Sequence, residues 1–109
     1  MLDTYAVIAE PSRRRILDRL LISDSSVGDL VQDLGLSQPL VSKHLRTLRE
    51  SGLVRVQIEA QRRIYSLDAG PLEDVDEWLS AYRAKWNRHI DALAAHLDQR
   101  KKSREENGK

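Results

Sequence analysis

Pro39, Ser42, Lys43 and Arg46 share one side of a helical projection, with Gln38 at its N-terminal edge and Ser37 just before it. Their chemistry is that of nucleic-acid readout. A guanidinium or ammonium matches the O6 and N7 acceptors of guanine, and a carboxamide pairs with N6 and N7 of adenine. Short hydroxyls, as on Ser37, Ser42 and Thr47, suit phosphate or water-mediated contacts. A helix that offers these groups near its N-terminus is shaped to enter a DNA major groove. The alternative is an ordinary solvated helix face, and the elements on either side decide between the two.

The stretch that carries these residues is LSQPLVSKHLRTLRESGLV, residues 36–54. Ser37 is placed to cap the helix, Pro39 sits in a first turn that needs no N–H from it, and Ser51-Gly52 stops it. Val41, Leu45 and Leu48 recur on the side opposite the polar groups. Leu40 is partly outward, set either to touch a thymine methyl or to pack on the preceding helix. That helix is short, with Val27, Leu30, Val31 and Leu34 at i, i+3, i+4, i+7 and Gly35 at its end. The two helices and their tight turn make a helix-turn-helix.

Upstream, Leu2, Tyr5, Ala6 and Ala9 space as a short amphipathic helix ending before Pro11. A second helix opens at Pro11-Ser12 and turns Ile16, Leu17, Leu20 and Leu21 inward. Arg13, Arg14 and Arg15 crowd its first turn, where the helix dipole disfavours cations, so they either serve another purpose or are solvated. Arg13 and Arg14 are candidates for a phosphate contact. Ser23-Asp24-Ser25-Ser26 reads as a polar loop with capping chemistry.

Downstream the period changes. Leu53, Val54, Val56 and Ile58 form one β-rich run and Ile64, Tyr65 and Leu67 another, so the pair predicts a hairpin, or wing. Its connection, Glu59 to Arg63, lacks the Asn-Gly or Asp-Gly of a strong turn signal, and the register stays open. Arg62 and Arg63 at the tip are expected to meet phosphates or a narrow minor groove. A long helix over about 71–99 then carries Val75, Leu79, Tyr82, Trp86, Ile90, Leu93 and Leu97 as one stripe, flanked by Trp78 and His89. Such a stripe is longer than this small domain covers, and a second copy of the same helix is the economical partner. Residues 100–109 are charged and aperiodic and are expected to be a flexible tail.

Composition narrows the classes. The chain is long enough for one domain, residues 1–99 with the C-terminal helix included. Net charge is only +1, but residues 37–67 hold six cations against two acids while residues 1–36 hold four against six. Positive charge thus gathers where a polyanion would be met. With no cysteine there are neither disulfides nor thiolate metal sites. No signal peptide or membrane span is evident, so a cytoplasmic protein without membrane partners is expected. Three scattered histidines, no Gly-rich phosphate loop and no Cys nucleophile argue against an enzyme.

The pattern resembles the winged-helix repressors of the ArsR family. The similarity lies in LSQPLVSKHLRTLRESGLV, in RRIYSLD after it and in AEPSRRRILDRLL before it, covering about residues 5–68. It implies a mainly α fold with a small β-hairpin, a winged helix-turn-helix dimeric through its N- and C-terminal helices. Leu2, Tyr5, Trp78, Leu79, Tyr82, Trp86, Ile90 and Leu93 are the expected interface. It further implies a homodimeric, sequence-specific regulator, a repressor on an inverted-repeat operator of double-stranded DNA. The alternative is a winged-helix protein-interaction module without DNA readout. Family members often release DNA on binding an effector such as a metal, but here the sequence departs. The cysteine positions of the reading helix hold other residues, and His89 and His96 lie two turns apart, so no metal and no cofactor is expected and the effector is open. His44, which the family shares, is expected at a structural seam rather than on a base.

Overall fold

The computed structural model describes residues 3–107; beyond His89 it describes side chains only at Leu93, Ala95, His96 and Leu97. The order is α1 (Thr4–Ile8), α2 (Pro11–Ile22), β1 (Ser25–Ser26), α3 (Val27–Leu34), α4 (Gln38–Glu50), β2 (Val54–Glu59), β3 (Arg62–Leu67) and α5 (Leu72–Asn107). The chain forms two compact units, Met1–Val75 and Asp76–Lys109. The mainly helical winged helix-turn-helix expected from the sequence is the fold of the first.

Local signals set the helix ends. The Glu10 carboxylate accepts the Arg13 N–H at 2.9 Å and starts α2, with Pro11 in its first turn. Ser26 and Asp29 exchange hydrogen bonds as a capping box and start α3. Ser37 Oγ accepts the Leu40 N–H at 3.3 Å and starts α4. At its far end Gly52, at φ 81°, lets the Gly52 and Leu53 N–H groups return to the Arg49 and Leu48 carbonyls, each at 3.0 Å. This is a Schellman stop, and it drops Leu53 into the core.

Apolar faces of α2, α3 and α4 converge with the inner face of the sheet. Ile16, Leu30, Val41, Leu48 and Leu53 are fully buried there. Burying side chains of this size contributes about 1.5–3 kcal/mol each, the main force holding the unit together.

Four features differ from the sequence expectation. Ser25-Ser26 is not only a loop: it pairs antiparallel with β3, Ser25 against Tyr65 and Ser26 against Ile64, so the wing belongs to a three-stranded sheet of order β1-β3-β2. Two serines carry little β-propensity, and the pairing partner lies some forty residues away. Leu21 is 73 % exposed rather than inward, because it lies at the rim of the stripe that Ile16, Leu17 and Leu20 already fill in the last turn of α2. In α1 it is Val7 that is buried while Tyr5, Ala6 and Ala9 are exposed, a five-residue helix being too short for periodicity to fix its inner face. And α5 continues to Asn107, past the expected end near residue 99. Arg100, Lys101, Lys102, Arg104 and Glu105 are good helix formers, and no Gly or Pro interrupts them before Gly108.

The hairpin register is now fixed, from Val54 opposite Leu67 to Glu59 opposite Arg62. Ala60-Gln61 makes a two-residue connection in which Ala60 adopts φ 55°, where glycine is the favoured residue.

Candidate nucleic-acid interface

Helix α4 stands in the first unit with its two sides sharply divided. Val41, Leu45 and Leu48 are at most 1 % exposed, whereas Gln38, Pro39, Leu40, Ser42, Lys43 and Arg46 face solvent. The apolar side sets the helix against α2, α3 and β2, which leaves the polar side no rotational freedom. Ser37 spends its hydroxyl on the cap, so its role begins with fixing the first turn.

The cations differ in how they are held. Arg46 lies 3.3 Å from Glu50 one turn away, with its side chain 82 % exposed; such a pair is worth a few tenths of a kcal/mol, about 0.3–0.5, and yields readily to a phosphate or a base. Lys43, Arg49 and Arg63 make no ion pair among the described residues and are exposed. Arg55 is engaged with Asp68 at 2.8 Å. The Gly70 N–H, and after it Arg55, hold the Asp68 carboxyl below the usual carboxylate range. Arg62 turns toward α3: its guanidinium donates to Ser26 Oγ at 3.0 Å and lies 3.7 Å from Asp29. At its tip the wing therefore presents one outward cation, Arg63, and one held cation, Arg62.

The arginines that open α2 have a use that sequence reasoning missed. Arg13 Nε donates to the Val7 carbonyl at 2.7 Å, and Arg14 to those of Ile8 at 2.7 Å and Ala9 at 3.1 Å. Arg15 donates to the Leu34 carbonyl at 2.8 Å. Three cations thus terminate α1 and α3, whose carbonyl ends carry partial negative charge, and this offsets their poor placement in the first turn of α2. The guanidiniums of Arg13 and Arg14, candidates for a phosphate contact, thus spend part of their donor capacity on the end of α1.

His44 is buried at the seam, as its place beside the apolar side of α4 suggests. Its Nε2 lies 3.7 Å from the Glu10 carboxylate and its Nδ1 has no hydrogen-bond partner among the described residues.

The second unit is helical, with Trp78, Tyr82 and Trp86 in tilted ring contact along one side at centroid distances of 5.1 and 6.4 Å. All three are about half exposed, as are Leu93 and Leu97, while Leu79 is partly covered. Tyr5, in the first unit, is 39 % exposed and its hydroxyl donates to the Asp74 carbonyl at 3.1 Å. Leu2 and the Ile90 side chain lie outside the described residues. Among the described residues no three His, Asp or Glu side chains gather to hold a metal ion. His89 and His96 sit two turns apart on one helix, about 10 Å, so the donors do not fit the metal sites that the resemblance implies. No helix in the described residues is long and apolar enough to cross a membrane.

Comparison with known proteins agrees with this geometry. Residues 10–56 match the family described as bacterial regulatory protein, arsR family. The chain is 32 % identical to the transcriptional repressor SdpR of Bacillus subtilis over 72 % of this chain and 88 % of that protein. It is 40 % identical to the transcriptional activator HlyU of Vibrio cholerae over 66 % and 67 %. Among solved structures, a possible transcriptional regulator for arsenical resistance superposes with TM-score 0.66 at 32 % identity, covering 88 % of this chain and 97 % of that one.

Proposed function

Because the chain belongs to the ArsR family of bacterial regulatory proteins, we propose that this DNA-binding regulator acts as a homodimeric repressor on an inverted-repeat operator. The observation that carries the reading is the division of α4: a buried apolar side fixes the helix, and an exposed side offers Gln38, Ser42, Lys43 and Arg46 around its N-terminal half. Lys43 or Arg46 reads guanine, Gln38 reads adenine, Pro39 lets the first turn approach the base edges, and Ser37 and Ser42 serve the backbone. Arg63 meets a phosphate or the adjacent minor groove.

Dimerisation rests on the exposed stripe of α5. Trp78, Tyr82, Trp86 and Leu93, with Leu79 beside them, offer more apolar surface than a lone helix leaves in water. Tyr5, with Leu2 in the same N-terminal stretch, extends the interface. A twofold pair of reading helices spaced about 34 Å apart matches successive major grooves on one face of DNA. Repression follows when such a dimer occupies a promoter; the relatives include a repressor and an activator by name, so the sign is part of the test.

Gel retardation with the DNA upstream of the protein's own gene, beside sedimentation of the free protein, examines both halves. The expected result is a dimer that shifts the fragment and lowers transcription from it in vitro. A monomer at micromolar concentration, or no shift at low ionic strength, overturns the reading. Increased transcription would keep the DNA binding and replace repression by activation.

A further inference from the structure

We propose that Arg62 is a positioning residue that fastens the wing to the first turn of α3, leaving the phosphate contact of the wing to Arg63. The proposal rests on the DNA-binding reading above and specifies how its wing works.

The reason lies in how short β1 is. Ser25 and Ser26 pair with Tyr65 and Ile64, but the chain then turns into α3 at Val27. Toward the tip, Arg63 and Arg62 are left with β2 alone, and a two-stranded ribbon in water is marginal by itself. Arg62 bridges that gap from the face it shares with Ile64. Its guanidinium donates to Ser26 Oγ at 3.0 Å and lies 3.7 Å from Asp29 Oδ2. Ser26 is buried, and the same Asp29 oxygen accepts the Ser26 N–H at 3.1 Å. The side chain thus replaces the missing ladder with a connection to the capping box of α3.

Two further observations separate the wing arginines. The Arg62 and Asp29 side chains are 64 % and 47 % exposed, so their attraction is screened and weak; what fixes the direction is the hydrogen bond to the buried serine. Asp29 is nonetheless a dependable anion at neutral pH. The Ser26 N–H and hydroxyl first, and Arg62 and Arg19 after them, hold its carboxyl below the ordinary range. A guanidinium bonded to a buried hydroxyl beside a standing anion has to break that bond to turn toward DNA, unlike one held by an exposed ion pair alone. Arg63, opposite Ile58 and on the other face of the ribbon, has no such match among the described residues.

The test uses the full chain, a labelled duplex from upstream of its own gene and a series of KCl concentrations, with hydrogen exchange of the wing amides measured in parallel. Arg63→Gln should reduce the slope of log affinity against log salt by about 0.9 per subunit, the loss of one phosphate contact. Arg62→Gln should leave the slope unchanged, weaken binding about three- to tenfold at every salt concentration, as loss of one hydrogen bond would, and speed exchange at the tip. Asp29→Asn, which keeps an acceptor for the Ser26 N–H, should act in the same direction, and the double variant should be no worse than Arg62→Gln alone. Arg62→Lys should recover part of both effects. A reduced slope for Arg62→Gln together with tighter binding by Asp29→Asn would overturn the proposal, since freeing a contact cation strengthens binding. Unchanged tip exchange in Arg62→Gln would overturn it equally. A wild-type chain that binds no duplex defeats the DNA-binding reading and this proposal with it, a result distinct from any change in a variant.

Discussion

Helices α4 and α5 are both amphipathic, and they have opposite fates. The apolar side of α4 is consumed by its own chain: Val41 and Leu48 are 0 % exposed. The corresponding side of α5 stays open, with Trp78 at 54 % and Trp86 at 49 %. A helix whose apolar side is satisfied internally turns its polar side outward in a fixed direction and can read a rigid ligand. One whose aromatic side stays open is stabilised by a partner that brings the same surface. In the proposed function the first supplies the reading group and the second the means of duplicating it.

The comparison breaks most visibly at α5. Trp86→Glu sets a charge in the middle of the open stripe. Sedimentation should then show a monomer, and operator affinity should fall by about two orders of magnitude or more, because linking two weak sites contributes that much. Circular dichroism should keep the helical signature of the first unit; a variant that stays dimeric would show that the stripe is not the interface.

At α4 the same kind of damage should act on folding instead. Leu48→Ala should cost about 2–5 kcal/mol of stability in urea unfolding, the usual result of emptying a filled core position. A loss below about 1 kcal/mol would mean that the apolar side of α4 is not held as tightly as its burial implies.

The polar side of α4 gives a smaller and more selective effect. Arg46→Ala should weaken operator binding by about 1–3 kcal/mol and relax base preference while leaving thermal stability unchanged, its ion pair to Glu50 being solvent-exposed. Equal losses on operator and random DNA would reassign it to the backbone.

The least effect is expected from acid. Asp29 and Asp68 both titrate below their ordinary values in the folded chain. The stability they confer is therefore complete above about pH 4 and lost as pH falls through the folded values. Asp68→Asn should flatten the acid limb of a thermal-melting series; an unaltered limb would remove Asp68 from the account.

What the sequence made legible follows from the range of each signal. The ends of α4 were readable because Ser37 and Gly52 act within a few residues, and its buried side because three aliphatic residues repeat at one period. The aromatic stripe of α5 was readable for the same reason. What stayed hidden depends on distant partners. Nothing near Ser25 announces that it will pair with Tyr65, and nothing near Arg13 to Arg15 announces the carbonyls of Val7, Ile8 and Leu34. Arg62 looked like its neighbour Arg63 until the fold brought Asp29 beside it. A charge count over residues 37–67 treats the six cations alike, whereas Arg55 and Arg62 are held by acids from outside that stretch.

The central claim is that two copies, joined through α5, present two α4 helices to DNA in twofold symmetry. Selection from a pool of random duplexes by the purified protein addresses it most directly. The account predicts enrichment of an inverted repeat whose half-site centres lie about one helical turn apart, ~10–10.5 base pairs. Enrichment of single, unrepeated sites or of direct repeats would contradict it, as would a pool that emerges from selection with no sequence enriched.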